Sequence, residues 1–269
     1  MSNRKNSEGT FGEHLEALRP HLLRGAAMLA VMFVAAFIAK RYVVDGLLMG
    51  PMKPDFPTNR LLARLAGLLG ADALYLNRAA VPLVNTSMAG QLNLHLKAAF
   101  FTAAVVSLPY IVAELWSFVR PALTEREARG CRMFALKVSL CFLFGAAFGY
   151  MAVAPLAVSF LSGYSASAAV SNMIDVNSYL STVIDVTLAC GVIFQLPLAV
   201  KLLARAGLLT PAFMRRYRRH AFMILALLAV VITPPDIVSA LLVIAPLFGL
   251  YELSVSIAAR EERRRAAES

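Results

Sequence analysis

Three carboxylates, Glu114, Asp185 and Glu252, and one amide, Gln195, sit inside long apolar stretches of the sequence. A charge placed in hydrocarbon is costly unless it faces protein or water, so each of these groups marks either a functional contact or the glue of a helix pair. The functional chemistry open to them is proton exchange or hydrogen bonding to a partner docked in the membrane. The plainer account is snorkelling or an interhelical hydrogen bond, and for Glu252, near the inner end of its stretch, that account is preferred. Gln195 precedes Pro197 in FQLPL, where partner contact and internal glue weigh equally. Asp185 and Gln195 are separated by a turn of ~280° beyond whole helical turns, so one site using both needs a kink.

Two further carboxylates lie at the ends of apolar stretches. Glu127 stands in TEREAR between arginines, and Glu16 in HLEALRPHL ahead of the first stretch. Either could pair bidentately with the guanidinium groups of an incoming peptide. On spacing alone, local neutralisation is the better account: Glu125 and Arg129 form a helical i,i+4 pair, and Glu127 only offsets Arg126. Other chemistry is missing. No GxxxxGK[ST] phosphate loop, HExxH zinc pair or GxSxG nucleophile turn occurs, and His14, His21, His95 and His220 are scattered over segment ends. These absences argue against an ATPase or metalloprotease and give no cofactor or metal site, while a membrane enzyme assembled from distant helices stays open. Cys131, Cys141 and Cys190 form no CxxC pair and read as small buried hydrophobes.

The elements that must position these groups are membrane spans. Of the 269 residues 59% are hydrophobic and 16% charged, against ~25% charged in a soluble domain. The mean hydropathy is +0.68. Apolar runs predict spans at 22–39, 98–119, 133–161, 180–203, 219–233 and 237–258, an all-α polytopic membrane protein. The first run resembles a signal peptide, but the runs that follow favour an uncleaved span. A net charge of +10 would suggest nucleic acid in a soluble protein. Here the charges crowd between apolar runs, which points to topology and anionic lipids and not to nucleic acid.

Arg4, Lys5, Arg19 and Arg24 precede or open span one, Arg120, Arg126, Arg129 and Arg132 follow span two, and the 201–219 loop and the 259–269 tail are also basic. The loops at 162–179 and 233–236 hold no Lys or Arg, so the N- and C-termini are both predicted inside. The basic residues of the long 40–97 outer segment weigh less in this count. The predicted organisation is an inner N-terminal segment (1–21), a membrane domain (22–258) and a charged inner tail (259–269). Within the outer segment, Thr58 or Asn59 is predicted to cap a short helix whose leucines recur at helical spacing up to Gly70. Its apolar face suits the membrane surface or packing on the spans equally well. Pro109, Pro155, Pro197 and Pro246 predict kinked spans, and Thr233, Pro234, Pro235 and Asp236 close the short fifth one. No internal repeat is visible, which weakens a transporter built from inverted halves.

Taken in order, HLEALRPHL, LPYIVAELWSFVRPALTEREAR, FGAAFGYMAVAPLAVSF, YLSTVIDVTLACGVIFQLPLAV and ITPPDIVSALLVIAPLFGLYELS resemble the TatC family, the multispanning receptor subunit of the twin-arginine protein translocase. The resemblance covers about residues 11–258. It implies a cup-like bundle of six helices in the bacterial inner membrane, without enzymatic activity. It also implies binding of twin-arginine signal peptides at the cytoplasmic face and recruitment of TatA, and of TatB where present, for export of folded proteins driven by the proton-motive force. Such receptors assemble as homo-oligomers.

Position by position, the resemblance makes Glu127 the contact for the signal arginines, reversing the preference from spacing. His14, Leu18 and Arg19 match HLxELR. The glutamate of that motif is Ala17 here, with Glu16 one place earlier and therefore ~100° away around a helix. Phe118, Pro121, Arg129 and Pro51 also occupy characteristic positions. Gln195 fits the polar position before LP that faces the core or the TatA/TatB helix, and Glu114 falls where relatives often carry Gln. Asp236 and Glu252 match the TPPD turn and the LYE ending, while Ala240 replaces a frequent glutamine. The alternative reading is a proton-coupled secondary transporter of a small solute using Glu114 or Asp185.

Overall fold

The computed structural model describes residues 5–69, 82–119, 125–167, 172–205, 207–232 and 237–268. These residues are helical almost throughout. Among them, five helical stretches are long and apolar enough to cross a membrane: Leu18–Ile38, Gly90–Phe118, Phe134–Gly163, Val176–Arg205 and Val243–Arg264. The remaining expected span, at 219–233, is the 15-residue helix α9 (Arg218–Ile232). At ~1.5 Å per residue it rises ~23 Å, short of the hydrocarbon thickness by itself. The turn expected at Thr233–Asp236, with Pro234 and Pro235, lies outside the described residues.

The chain divides into two compact units. The first comprises Met1–Val44 and His95–Leu140. It holds α1 (Lys5–Ile38), most of α3 (Gly90–Val119) and the start of α4 (Glu125–Phe148). α1 runs through the expected inner segment into span one without ending at Pro20. His95 stacks on Phe37 at 4.0 Å, and its Nε2 stands 2.9 Å from the Phe37 carbonyl. Trp116 stacks on Phe134 at 4.6 Å.

The second unit, Asp45–Leu94 and Cys141–Ser269, is built around two interrupted spans. Span three changes register in a π-turn, Gly149–Val153, and resumes as α5 (Ala154–Gly163) with Pro155 in its first turn. Span four breaks at Phe194 and Gln195 between α6 (Val176–Ile193) and α7 (Leu196–Arg205), with Pro197 opening the new helix. Proline lacks a backbone donor, so it is best tolerated where a helix starts, which is how both expected kinks are realised. Pro109 and Pro246 instead lie inside α3 and α10 (Ile237–Glu268).

Wider helical turns leave carbonyls for other donors. A second π-helix spans Arg41–Leu48 and leads into a tight turn, Gly50–Met52, where Pro51 is buried. Tyr150 donates its hydroxyl to the Leu47 carbonyl, and Tyr179 donates to Leu48 at 2.7 Å. The segment expected to hold a short helix forms α2 (Pro57–Leu69), which starts ahead of the expected caps. Thr58 and Asn59 lie inside its first turn and do not cap it: the Thr58 hydroxyl goes to the Met151 carbonyl in the π-turn, and the buried Asn59 amide goes to Lys53 at 2.9 Å. Phe56 meets Tyr150 edge-on at 5.5 Å. The N-terminal end of α2 is thus packed on span three.

A short parallel pair, β1 (Leu83–Val84) and β2 (Ile174–Asp175), ties the outer segment to the start of α6 in the register Leu83↔Ile174 and Val84↔Asp175. Asp175 is the N-cap of α6, accepting from the Asn177 and Ser178 amides and from the Thr86 hydroxyl at 3.0 Å. Partial burial pushes its carboxyl up, but the Thr86, Asn177 and Ser178 donors outweigh this and hold it below the usual carboxylate value. At the other end of the unit, α10 packs along α7 and beside α8 (Pro211–Arg216) and α9. Its helix continues through the charged tail to Glu268. Buried Glu261 pairs with Lys201 at 3.4 Å, and Tyr251 donates to the Met214 carbonyl at 2.7 Å.

Candidate functional site

The residues that the sequence assigns to signal recognition sit on α1, α3 and α4 of the first unit. Glu16 and Arg19 are exposed on α1, and Leu18 is half-buried. His14 lies on the same helix, and Glu127 and Arg129 lie near the start of α4, all three with side chains outside the described part. Pro121 falls outside the described residues altogether. Phe118, half-buried at the end of α3, meets the His21 ring edge-on at 6.3 Å.

That last contact belongs to the best-defined polar cluster of this unit. Glu114 Oε2 stands 2.6 Å from His21 Nδ1 and 3.6 Å from Arg24 Nη1, and Tyr110 donates its hydroxyl to the same carboxylate. Helical spacing explains the convergence. His21 and Arg24 are three apart on α1, and Tyr110 and Glu114 four apart on α3, so each pair shares a face. The Glu114 side chain is only 15% exposed and that of His21 21%, whereas that of Arg24 is 59% exposed. A carboxylate hydrogen-bonded to His21 and Tyr110 with a guanidinium 3.6 Å away is satisfied, so the cluster ties α1 to α3 while most of the Arg24 side chain stays exposed. The sequence identified Glu114 but not His21 or Tyr110. Their i+3 and i+4 partners were the available signal.

The intramembrane groups of the second unit are dispersed. Glu252 on α10 forms an ion pair with Arg218 on α9 at 2.7 Å, and Arg218 also lies over the Phe248 ring at 5.3 Å. Gln195 is half-buried at the break between α6 and α7, its amide 3.5 Å from the Gly191 carbonyl. Asp185 is exposed on α6. Asp236 lies outside the described residues. Cys141 and Cys190 are free thiols, Cys190 buried, and among the described residues no cluster of His, Cys, Asp or Glu could hold a metal ion.

Comparison with known proteins decides the family. The family model described as "Sec-independent protein translocase protein (TatC)" matches residues 13–246. The chain belongs to the TatC family. The TatC of Blattabacterium sp. subsp. Periplaneta americana is 33% identical, covering 96% of this chain and 97% of its own. The TatC of Deinococcus radiodurans is 34% identical over 95% and 90%. The TatC fold is matched as well. A crystal structure of the twin-arginine translocase receptor TatC in DDM superposes with a TM-score of 0.67 at 26% identity, covering 91% of this chain and 99% of that one. A second crystal structure of that receptor gives 0.62.

Proposed function

We propose that the chain is the TatC-type receptor subunit of a twin-arginine protein translocase, an integral protein of the bacterial inner membrane. The observation that carries this reading is the family match across residues 13–246, joined to the likeness to solved twin-arginine translocase receptors over nearly the whole of their length. The same match leaves a small-solute transporter without support. In this reading both termini are cytoplasmic, and the inner ends of α1, α3 and α4 receive the signal peptide. Glu127 takes the signal arginines, with Arg129, Phe118, Pro121, His14, Leu18 and Arg19 around it and Glu16 in place of the acid missing at Ala17. Gln195, Glu114, Asp236 and Glu252 are polar contacts within or beside the bundle, and Gln195 meets a single-span TatA or TatB helix. The receptor works as a homo-oligomer among anionic lipids, has no enzymatic activity of its own, and organises TatA, and TatB where present, for transport driven by the proton-motive force.

The test is cross-linking of the purified protein to a twin-arginine signal peptide. Glu127→Ala removes a charge-assisted bidentate contact worth ~1.5–3 kcal/mol, so binding should weaken roughly tenfold or more. A twin-lysine peptide already lacks the planar fork and should change little. Equal losses for both peptides would refute a specific carboxylate–guanidinium contact. Glu16→Ala tests whether that residue replaces the missing acid.

A further inference from the structure

α6 carries a carboxylate for which the described residues supply no partner. Asp185 is exposed, and among the described residues it makes no hydrogen bond or ion pair. At ~1.5 Å per residue it lies ~14 Å inward from Val176, near the middle of a hydrocarbon core ~30 Å thick. Among the described residues, no cation is paired with it, and the titratable groups on the elements packed against α6 are these. α5 has no charged side chain, and the last turns of α4 hold only the Cys141 thiol as a titratable group. The π-turn offers Tyr150, whose hydroxyl goes to Leu47. β2 offers Asp175, engaged by Thr86 and the α6 N-terminus. α9 carries Arg218, Arg219 and His220 in its first turn, Arg218 paired with Glu252. On α6 itself, the Tyr179 hydroxyl is held by Leu48.

The second observation is a cavity of about 560 Å³ against the outer part of α6. Ser162, Asn172, Asp175, Ser178 and Thr182 give it polar walls, and Asn172, Met173 and Ser178 are exposed at its mouth. Ser178, Thr182 and Asp185 recur at i, i+4 and i+7, within ~60° of one helix face. The polar stripe lining the cavity therefore continues one turn inward to the carboxylate. Water enters a space that is roomy and offers polar partners, and an intramembrane carboxylate without a cation needs either protein or water to face.

We propose that this cavity is a water-filled inlet from the membrane face bearing Asp175, and that the water it admits reaches past its Thr182 wall to Asp185, one turn inward on the same helix face, and exchanges protons with it. Uptake of one proton from that water converts the carboxylate to a neutral acid, and release to the same water reverses the step. The inlet goes beyond the receptor reading and stands without it. A partner helix presenting a cation would satisfy Asp185 differently, and the experiment separates the two.

In the full chain with its native cysteines replaced by alanine, Ser178→Cys, Thr182→Cys, Asp185→Cys and Val192→Cys are introduced singly. Each variant is probed with a membrane-impermeant methanethiosulfonate, in liposomes and in membranes containing the whole translocase. Water along the inlet predicts that the first three react within about tenfold of one another, while Val192→Cys, exposed on the same helix face but farther in, reacts at least a hundredfold more slowly. Asp185→Cys as slow as Val192→Cys beside a reactive Thr182→Cys overturns the inlet. Reaction in liposomes with protection in translocase membranes assigns the face to a partner helix and also overturns it. Infrared spectra of the protein with unaltered cysteines then test the proton: a carboxylic acid band following bulk pH and missing in Asp185→Asn supports exchange, and its absence overturns it.

Discussion

The two units hold their membrane helices together by different means. In the first, 11% of the apolar 18-residue stretch of span one is buried within the protein, and its closest tie to span two is the Glu114 carboxylate with His21, Arg24 and Tyr110. In the second, 56% of the apolar 18-residue stretch of span three and 50% of that of span four are buried, and the helices meet through glycine. A Cβ on Gly145 would fall 2.6 Å from Phe194 Cβ and 2.7 Å from the Cys190 carbonyl oxygen, and one on Gly149 would fall 2.8 Å from Cys190 Cβ. Lipid is as apolar as leucine, so burial alone gives helices no reason to associate in a membrane. Close packing and polar ties remain: the first unit relies chiefly on a polar tie, while the second adds close glycine packing to its Glu252–Arg218 and Glu261–Lys201 pairs. Packing fixes a crossing permanently. A polar tie can be released by an altered charge or a competing ion.

The comparison breaks most visibly at Gly145. Valine there has no space to occupy, and overpacking of this kind costs ~1–3 kcal/mol or more. Thermal unfolding of Gly145→Val in detergent should show the largest loss of any change named here. Gly163→Ala serves as the control, because nothing lies within 4 Å of its added methyl. An equal loss in both would mean that the crossing does not depend on close approach. Glu114→Leu should weaken the first unit by less. In a double-mutant cycle with His21→Leu, the pair should lose less than the sum of the single losses, since each single change already removes the 2.6 Å contact. Strict additivity would show that the contact couples nothing.

The sequence made the spans legible because an uncharged run long enough to cross lipid has few other uses. The prolines marked where spans three and four restart. Gly145 and Gly149 stand four apart in FGAAFGY, the small-residue spacing of close helix crossings, so that contact was written in the sequence even though the motif was read only for resemblance. Thr58 and Asn59 were misjudged for a different reason. Their acceptors are the Met151 and Lys53 carbonyls, exposed by a π-turn and a tight turn that no local pattern announces. His21 was passed over because its partner is remote in the chain, although His21 and Arg24 already shared a helix face. The signal-contact residues rest on resemblance because spacing around Glu127 and Arg129 favours simple neutralisation.

Asp175 sharpens the comparison from outside the membrane, where a polar tie holds the packed unit at its edge. The Thr86, Asn177 and Ser178 donors favour its ionised form and keep its folded pKa below the unfolded one. Its contribution to stability is therefore fully present above the unfolded value of ~3.9 and is lost as pH falls through the folded value. Asparagine is a comparable N-cap but does not ionise, so Asp175→Asn should cost little near neutral pH. The unfolding midpoints of wild type and Asp175→Asn should converge as the pH is taken from 6 toward 3, because the wild type alone loses this stabilisation. A gap that stays constant over that range would mean that the charge of Asp175 does no more for the start of α6 than a neutral acceptor would. The attachment of the β1–β2 pair to that helix would then rest on the backbone register of Leu83 with Ile174 and Val84 with Asp175.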